Sequence, residues 1–247
     1  MSTRVIILAA GKGKRMGSEI PKPLLPIAGR PMIEHLFDSV VDSGIDERPI
    51  VVVAPDAVEQ FRDVLGDRCE YVVQAEQKGT GHAVMMAEDA AHGADNVIVL
   101  YGDHPFLSAE VIGSLAKLQK TNLAVIAMLT VKVPNFEGDY ATFIRWGRIL
   151  RNDNREFVAI REAKDATEEE LAVTELNPAM YAFQGEWLWA HLPQLGSKNA
   201  AGEIYLTDLI AMAVEEGHTV VTESAEPFEV VGVNTPDELK IAERLAG

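Results

Sequence analysis

Arg4-Val5-Ile6-Ile7-Leu8-Ala9-Ala10-Gly11-Lys12-Gly13-Lys14-Arg15-Met16 carries an apolar run that stops at a glycine-rich basic turn, and Pro21-Lys22-Pro23-Leu24-Leu25 follows soon after. The run Val5 to Ala10 is short and uniformly apolar, as expected of a strand buried on both faces of a parallel sheet. Glycines at 11 and 13 let backbone N–H groups approach phosphate oxygens, and Lys12, Lys14 and Arg15 can neutralise a polyphosphate. An anion cradle at the carboxyl end of the first strand is therefore expected. A glycine turn with solvated lysines is the competing reading of the same residues. The dinucleotide pattern G-x-G-x-x-G fails because Met16 stands at its last position, and the P-loop pattern G-x-x-x-x-G-K-[ST] is absent. Dehydrogenase and P-loop ATPase chemistry lose support accordingly.

Outward from this turn, short apolar runs alternate with helical patterns, which is the signature of βαβ units and a largely parallel α/β sheet. Ile50 to Val53, Val97 to Tyr101 and Leu123 to Val131 read as further strands. Pro31 to Val41 reads as a helix, because Pro suits the first turn and the apolar residues share one face. Beyond Val131 the style changes. Pro134 to Gly138 reads as a loop, and Tyr140 to Ile144, Arg148 to Arg151 and Glu156 to Ile160 read as antiparallel strands, so a second lobe is expected to begin near residue 130. Helices are expected at Leu206 to Glu215 and Pro236 to Leu245, with a strand at Phe228 to Val231 between them.

With 247 residues and 47% hydrophobic content, the chain can bury one elaborated core. A formal net charge of -16 opposes a nucleic-acid surface, since phosphate backbones are held by clustered Lys and Arg. No apolar run approaches the roughly 20 residues that span a bilayer, and the N-terminus lacks a signal-peptide pattern. A cytoplasmic protein with no membrane partner is the expectation. Cys69 is alone and reads as a packing residue, so neither a disulfide nor a cysteine zinc site is expected. The six His show no H-E-x-x-H, and no G-x-S-x-G elbow supports a hydrolase triad. Trp187 and Trp189 read as packing residues, and Glu168-Glu169-Glu170 as a helix start favoured by the dipole.

Two further blocks carry chemistry. Gln74-Ala75-Glu76-Gln77-Lys78-Gly79-Thr80-Gly81-His82-Ala83 lies between a strand ending at Val73 and an amphipathic helix. A Gln can hydrogen-bond a base through both carbonyl and amide, and Thr80 suits the N-cap of the helix. Val97-Ile98-Val99-Leu100-Tyr101-Gly102-Asp103-His104-Pro105 delivers a carboxylate at the end of a buried strand, where open α/β sheets bind ligands. Mg²⁺ prefers hard oxygen ligands and keeps several waters, so Asp103 with one further ligand would suffice. Taken alone, Asp103 could equally be a turn residue.

Together these segments resemble the nucleotide-diphospho-sugar transferases, whose signature reads L-x-x-G-x-G-x-R-M with a downstream P-K-x-L. The block at 74–83 is similar to Q-A-E-Q-x-G-T-G-H-A of the bacterial N-acetylglucosamine-1-phosphate uridyltransferases. The resemblance implies a Rossmann-like domain that binds UTP and a sugar 1-phosphate, uses Mg²⁺ and releases pyrophosphate. It implies that Leu8, Ala9, Ala10, Gly11, Gly13, Tyr101 and Gly102 border the nucleotide, and that Gln74, Gln77, Gly79 and Thr80 recognise the nucleoside. Arg15 is implied to hold the β and γ phosphates and Lys22 to bridge the α-phosphate and the sugar phosphate. Asp103 is implied as a metal ligand with Asn234, whose segment Val231 to Thr235 partly matches V-x-G-V-N; Asn234 could equally cap the following helix.

Trp146-Gly147-Arg148-Ile149 stands where the uridyltransferases show Y-G-R-I, and Ile160 to Thr167 stands where they show I-V-E-x-K-D-A-T. Glu175 to Ala179 matches E-I-N-T-G in part, and Asn199 to Asp208 matches N-x-x-G-E-Y-Y-I-T-D. Gly147, Glu162, Asn177 and Tyr205 are thereby implied as sugar contacts. Three departures fall on this side: Pro178-Ala179 for Thr-Gly, extra residues around Asp139 to Arg145, and Trp146 for Tyr. They bear on sugar identity more than on reaction type. The expected organisation is a nucleotide-binding part over about 1–130, a sugar-binding lobe over about 131–227 and a closing strand and helix over 228–247, without an acetyltransferase domain. A relative acting on glucose 1-phosphate or another sugar or base, and a non-catalytic nucleotide-sugar sensor, are the alternatives. Monomer and dimer stay equally open.

Overall fold

The computed structural model describes residues 2–11, 20–197, 199 and 202–246. Strand β1 (Thr3–Leu8) leads to a small hairpin, β2 (Pro26–Ile27) and β3 (Arg30–Pro31), and then to helix α1 (Met32–Asp42). The alternation continues with β4 (Ile50–Val53), α2 (Val58–Leu65), β5 (Glu70–Val73), α3 (Thr80–Met86), β6 (Asn96–Tyr101), α4 (Ala109–Asn122) and β7 (Ile126–Lys132). Pairing is parallel through β5-β4-β1-β6; β1, β4 and β6 carry the apolar runs of buried parallel strands, and β5 is the half-exposed edge.

Successive residues of β1 face opposite layers. Val5, Ile7 and Ala9 join Ile33, Leu36 and Phe37 of α1, Phe61 of α2 and Leu115 of α4. Ile6, Leu8 and Ala10 join Ala83 and Val84 of α3 with Trp187 and Leu188. Period-2 alternation between two apolar layers explains why the strand sequence shows no polar face.

The second half departs from simple alternation. After β8 (Gly147–Arg151), β9 (Phe157–Arg161), a single-turn helix α5 (Glu168–Leu171), β10 (Glu175–Asn177) and β11 (Tyr181–Gln184), the chain ends with α6 (Gly185–His191), α7 (Asp208–Glu215), β12 (Val220–Ala225) and α8 (Pro236–Ala246). β11 runs antiparallel between β6 and β7, and β12 pairs parallel with β7. From the far end of β7 an antiparallel branch, β10-β8-β9, leaves the main sheet. Thr167 and Glu170 form a capping box on α5, Cys69 is buried, and Trp187 packs in the core with its indole N–H on Glu216 Oε2 at 3.0 Å. No helix among the described residues is long and apolar enough to cross a membrane.

Two expected strands are corrected. Residues Gly138–Arg145 form 3-10 helix, not strand. Their aromatics recur every third residue: Tyr140 lies 6.4 Å from Phe143, which lies 4.7 Å from Trp146, the eclipsed spacing of a three-residue turn. Phe228 to Val231 is a turn, closed by Glu229 N–H on the Glu226 carbonyl, and the strand of this region is β12 (Val220–Ala225), which lies before it in the chain. β12 already fills the free edge of β7, so the later apolar residues have no sheet partner. Its half-exposed, polar Thr222-Glu223-Ser224 hid it from a search for apolar runs.

Candidate active site

The carboxyl ends of β1, β4, β5 and β6 lie on one side of the sheet because these strands are parallel. Hydrogen bonds carry the sheet past them: Ala9 N–H reaches the Val52 carbonyl at 2.8 Å, Gln74 N–H the Val53 carbonyl at 2.9 Å, and Gly102 N–H the Leu8 carbonyl at 3.0 Å. A cavity of about 410 Å³ opens there. Leu8, Ala9, Ala10 and Gly11 line one wall, Gln74, Gln77, Gly79 and Thr80 another, and Tyr101, Lys22 and Asp103 the floor. Gly102 lies under the floor, packed so closely on Pro23 and Ile33 that an added Cβ would meet them at 3.3 and 3.0 Å. Gly13 and Arg15 lie outside the described residues.

Lys22 sits in a 3-10 turn, Lys22–Leu24, that begins after Pro21 and is held by Leu24 N–H on the Pro21 carbonyl at 2.8 Å. This turn aims the ammonium inward, where it donates to Asp103 Oδ2 and, at 2.8 Å, to Asn234 Oδ1. Asp103 and Asn234 thus face one point rather than separate cavities. The segment bearing Asn234 is anchored by Val233 N–H on the Asp103 carbonyl at 3.0 Å, and by Gly232, whose missing Cβ leaves room for the His104 ring. Helix α8 is capped by Thr235, whose hydroxyl accepts from Glu238 N–H at 3.2 Å, while Glu238 reaches back to Asn234 N–H at 2.6 Å. Asn234 is therefore not the capping side chain.

Burial pushes the Asp103 carboxyl up, but the Lys22 ammonium and His104, whose Nδ1 lies 3.2 Å from Oδ1, outweigh it and hold the group well below the ordinary carboxylate range. The site carries a permanent anion at physiological pH. Burial, opposed by the Thr80 hydroxyl and reinforced by the charges of Asp103 and Glu162, raises the Tyr101 phenol, which stays neutral.

The wall of Gln74, Gln77, Gly79 and Thr80 is tied to the segment 204–206. Ile204 N–H donates to the Lys78 carbonyl at 2.7 Å, Gly81 N–H to the Ile204 carbonyl at 2.9 Å, and Leu206 N–H to Thr80 Oγ1 at 3.0 Å. The expected N-cap role of Thr80 is corrected: Gly79 occupies the cap position without a side-chain bond, and Thr80 instead holds the passing segment. Gly79 has φ 110°, and a Cβ there would stand 2.4 Å from the Ile204 carbonyl oxygen. Gln77 Nε2 donates to the Ala10 carbonyl at 2.5 Å, joining the two walls. Gln74 Nε2 is held by the Gly79 carbonyl and His82 Nδ1, both at 3.1 Å, which leaves its Oε1 for the cavity.

On the antiparallel branch, Asn177 pairs with Gly147 across β10 and β8, and Glu162 Oε1 lies 3.7 Å from where a Gly147 Cβ would stand. Three of the four expected sugar residues therefore share one neighbourhood. Asn177, however, already bonds the Tyr181 hydroxyl through Nδ2 at 2.8 Å and accepts Ala179 N–H at 2.9 Å. Burial of its carboxyl raises Glu162, opposed by Lys164 and aided by Asp165 and Asp208. Tyr205 is half-buried and does not line the cavity, whereas Glu203, two residues earlier, does. Sequence reasoning passed over Glu203 and His104, although both stand inside the quoted motifs.

With this geometry in hand, the comparisons are specific. The family described as the MobA-like NTP transferase domain matches residues 5–199. The chain belongs to this family. Among its curated relatives, the bifunctional protein GlmU of an Exiguobacterium species is 40% identical over 247 residues, covering 99% of this chain and 53% of the relative. GlmU proteins of Hydrogenovibrio crunogenus and Streptococcus agalactiae are also 40% identical over 99% of this chain and 52% of their own length. The chain thus spans about half the length of the curated relatives it matches. A Bacillus anthracis structure, a candidate glucose-1-phosphate thymidylyltransferase in complex with sucrose, superposes with a TM-score of 0.79 over 99% of this chain and 95% of that one. At 21% identity it speaks for the fold, a mostly parallel α/β sheet flanked by helices with an antiparallel extension, as expected from the sequence.

Proposed function

We propose that the chain is a sugar-1-phosphate nucleotidyltransferase joining UTP to N-acetylglucosamine 1-phosphate with release of pyrophosphate. The observation that carries this reading is the convergence of Lys22, Asp103 and Asn234, far apart in the chain, where Lys22 and Asp103 floor a cavity walled by Leu8 to Gly11 at the end of β1. UTP and the amino sugar rest on the similarity of residues 74–83 and 160–167 to the uridyltransferase motifs.

The reaction is an in-line displacement. An oxygen of the sugar 1-phosphate forms a bond to the α-phosphorus, the bond from that phosphorus to the bridging oxygen breaks, and pyrophosphate leaves with the electron pair. A phosphate monoester is already anionic at neutral pH, so no side chain has to remove a proton, and positioning with charge neutralisation dominates. Lys22 is assigned the α-phosphate and the incoming phosphate, and Arg15 the β and γ phosphates. Asp103 and Asn234 turn two hard oxygens toward a single cationic point, the Lys22 ammonium, and this donor set fits Mg²⁺ completed by water and phosphate oxygens. When bound, Mg²⁺ would offset charge on the phosphates. Gly147, Glu162, Asn177 and Tyr205 are assigned to the sugar, within the division at about residues 130 and 227 drawn from the sequence. Free UTP and sugar phosphate make the cytoplasm the expected setting.

One observation favours a second reading of the sugar. Asn177 is engaged by Tyr181 and Ala179, so the N-acetyl group has less to bond here, and glucose 1-phosphate is the alternative acceptor. Pyrophosphate release, measured for UTP, dTTP, CTP, ATP and GTP crossed with both sugar phosphates, separates these outcomes. Preference for another pair moves the assignment within the family. Absence of turnover with every pair, beside tight metal-independent binding of a nucleotide sugar, would make the chain a sensor.

A further inference from the structure

Glu203 is the carboxylate of the cavity wall that the proposed reaction leaves without a role. Its backbone is bracketed by one side chain: Asn199 Nδ2 donates to the Glu203 carbonyl at 2.5 Å, and Asn199 Oδ1 accepts Glu203 N–H at 3.2 Å. The segment then runs over Gly79, close enough that a Cβ there would lie 3.0 Å from Glu203 Cβ. Glu203 therefore enters the cavity at the wall of Gln74, Gly79 and Thr80, and among the described residues no hydrogen bond or ion pair engages its carboxylate.

An anion at this wall restricts what it can face. A carboxylate only accepts hydrogen bonds and repels phosphate oxygens, so it belongs to the neutral part of the nucleotide. On a uracil edge there is one donor, N3–H, between two carbonyl oxygens, and Gln74 already offers a single acceptor, its Oε1, at the same wall. A second acceptor on that edge would meet a carbonyl oxygen. Two vicinal hydroxyl donors remain, on the ribose.

We propose that Glu203 accepts the ribose 2′- and 3′-hydroxyls of the bound nucleotide and makes the chain select ribonucleotides over 2′-deoxyribonucleotides, with Asn199 as the positioning residue. The inference rests on the nucleotide-binding reading of this cavity. Charged hydrogen bonds to a hydroxyl, lost with the hydroxyl itself, discriminate by on the order of ten- to a hundredfold.

The test compares UTP, 2′-deoxy-UTP and 3′-deoxy-UTP in the full chain and in Glu203→Ala and Glu203→Gln, reading kcat/KM for pyrophosphate release and, independently of turnover, equilibrium binding by calorimetry. Wild type is expected to favour UTP by about ten- to a hundredfold, and Glu203→Ala to bring the ratio to within about threefold, because UTP loses two hydroxyl contacts and 2′-deoxy-UTP only the one at its 3′-hydroxyl. An unchanged ratio in the folded variants overturns the proposal. So does an equal loss for all three nucleotides, or a rise confined to the KM for the sugar phosphate, which would move Glu203 to the sugar. If Glu203→Ala does not fold, Glu203→Gln, which keeps the shape and removes the charge, reads the same ratio. Binding of nucleotide without any turnover would overturn the enzymatic reading while leaving the ribose contact measurable; no binding of any nucleotide to wild type would overturn both.

Discussion

Gly79 and Ala179 both hold the backbone at positive φ, 110° and 63°, one beside the cavity at the strand ends and the other in the antiparallel branch. At position 79 the close passage of Ile204 admits no side chain, and glycine carries the conformation without penalty. At position 179 an alanine is held in the same half of conformational space by its N–H bond to Asn177, at a strain of roughly 1–2 kcal/mol. The cavity wall at Gly79 thus relies on residue type, whereas the branch relies on hydrogen bonds between neighbours: Asn177 with Tyr181, and the buried Arg148 with the carbonyls of Ile144, Trp146 and Leu171. A site built from residue types can be read from sequence. One built from partner choice cannot.

The contrast can be broken at three points. The largest effect is expected at the floor, where Asp103→Ala should lower pyrophosphate release by on the order of a hundredfold or more while circular dichroism shows a folded chain; near-normal turnover would remove the carboxylate from the reaction. Next comes Gly79→Ala, whose Cβ meets backbone at 2.4 Å and whose φ suits only glycine. A stability loss of about 2 kcal/mol or more is expected in urea unfolding, with a raised KM for UTP and an unchanged KM for the sugar phosphate. Equal shifts in both KM values would mean that this wall serves the whole site. The smallest is Ala179→Gly, expected to gain up to about 1 kcal/mol by relief of the left-handed alanine and to move the sugar-phosphate KM alone. A lower melting temperature would show that the strain is absent.

Legibility followed the same divide. β1, β4 and β6 stood out because both faces are apolar, and α1 because its buried residues fall on one side. β12 and the 3-10 segment did not, since a half-exposed edge strand lacks an apolar run, and Tyr140, Phe143 and Ile144 are good strand formers whose three-residue spacing decides the outcome. Asn234 shows the limit at the site itself. Its letter allowed both a helix cap and a ligand; Thr235 takes the cap, and the Asn234 side-chain oxygen accepts from the Lys22 ammonium.

By itself the sequence determined the parallel part of the sheet, the side of it where the cavity opens, and the kinds of chemical group brought there, because buried strands need apolar faces and parallel strands end together. Only tertiary structure decided which groups meet: Lys22 and Asn234 are separated by 212 positions, and Thr80 and Leu206 by 126. Contacts at such separations are selected by how the layers pack around the cavity, and no local pattern of residues encodes that choice.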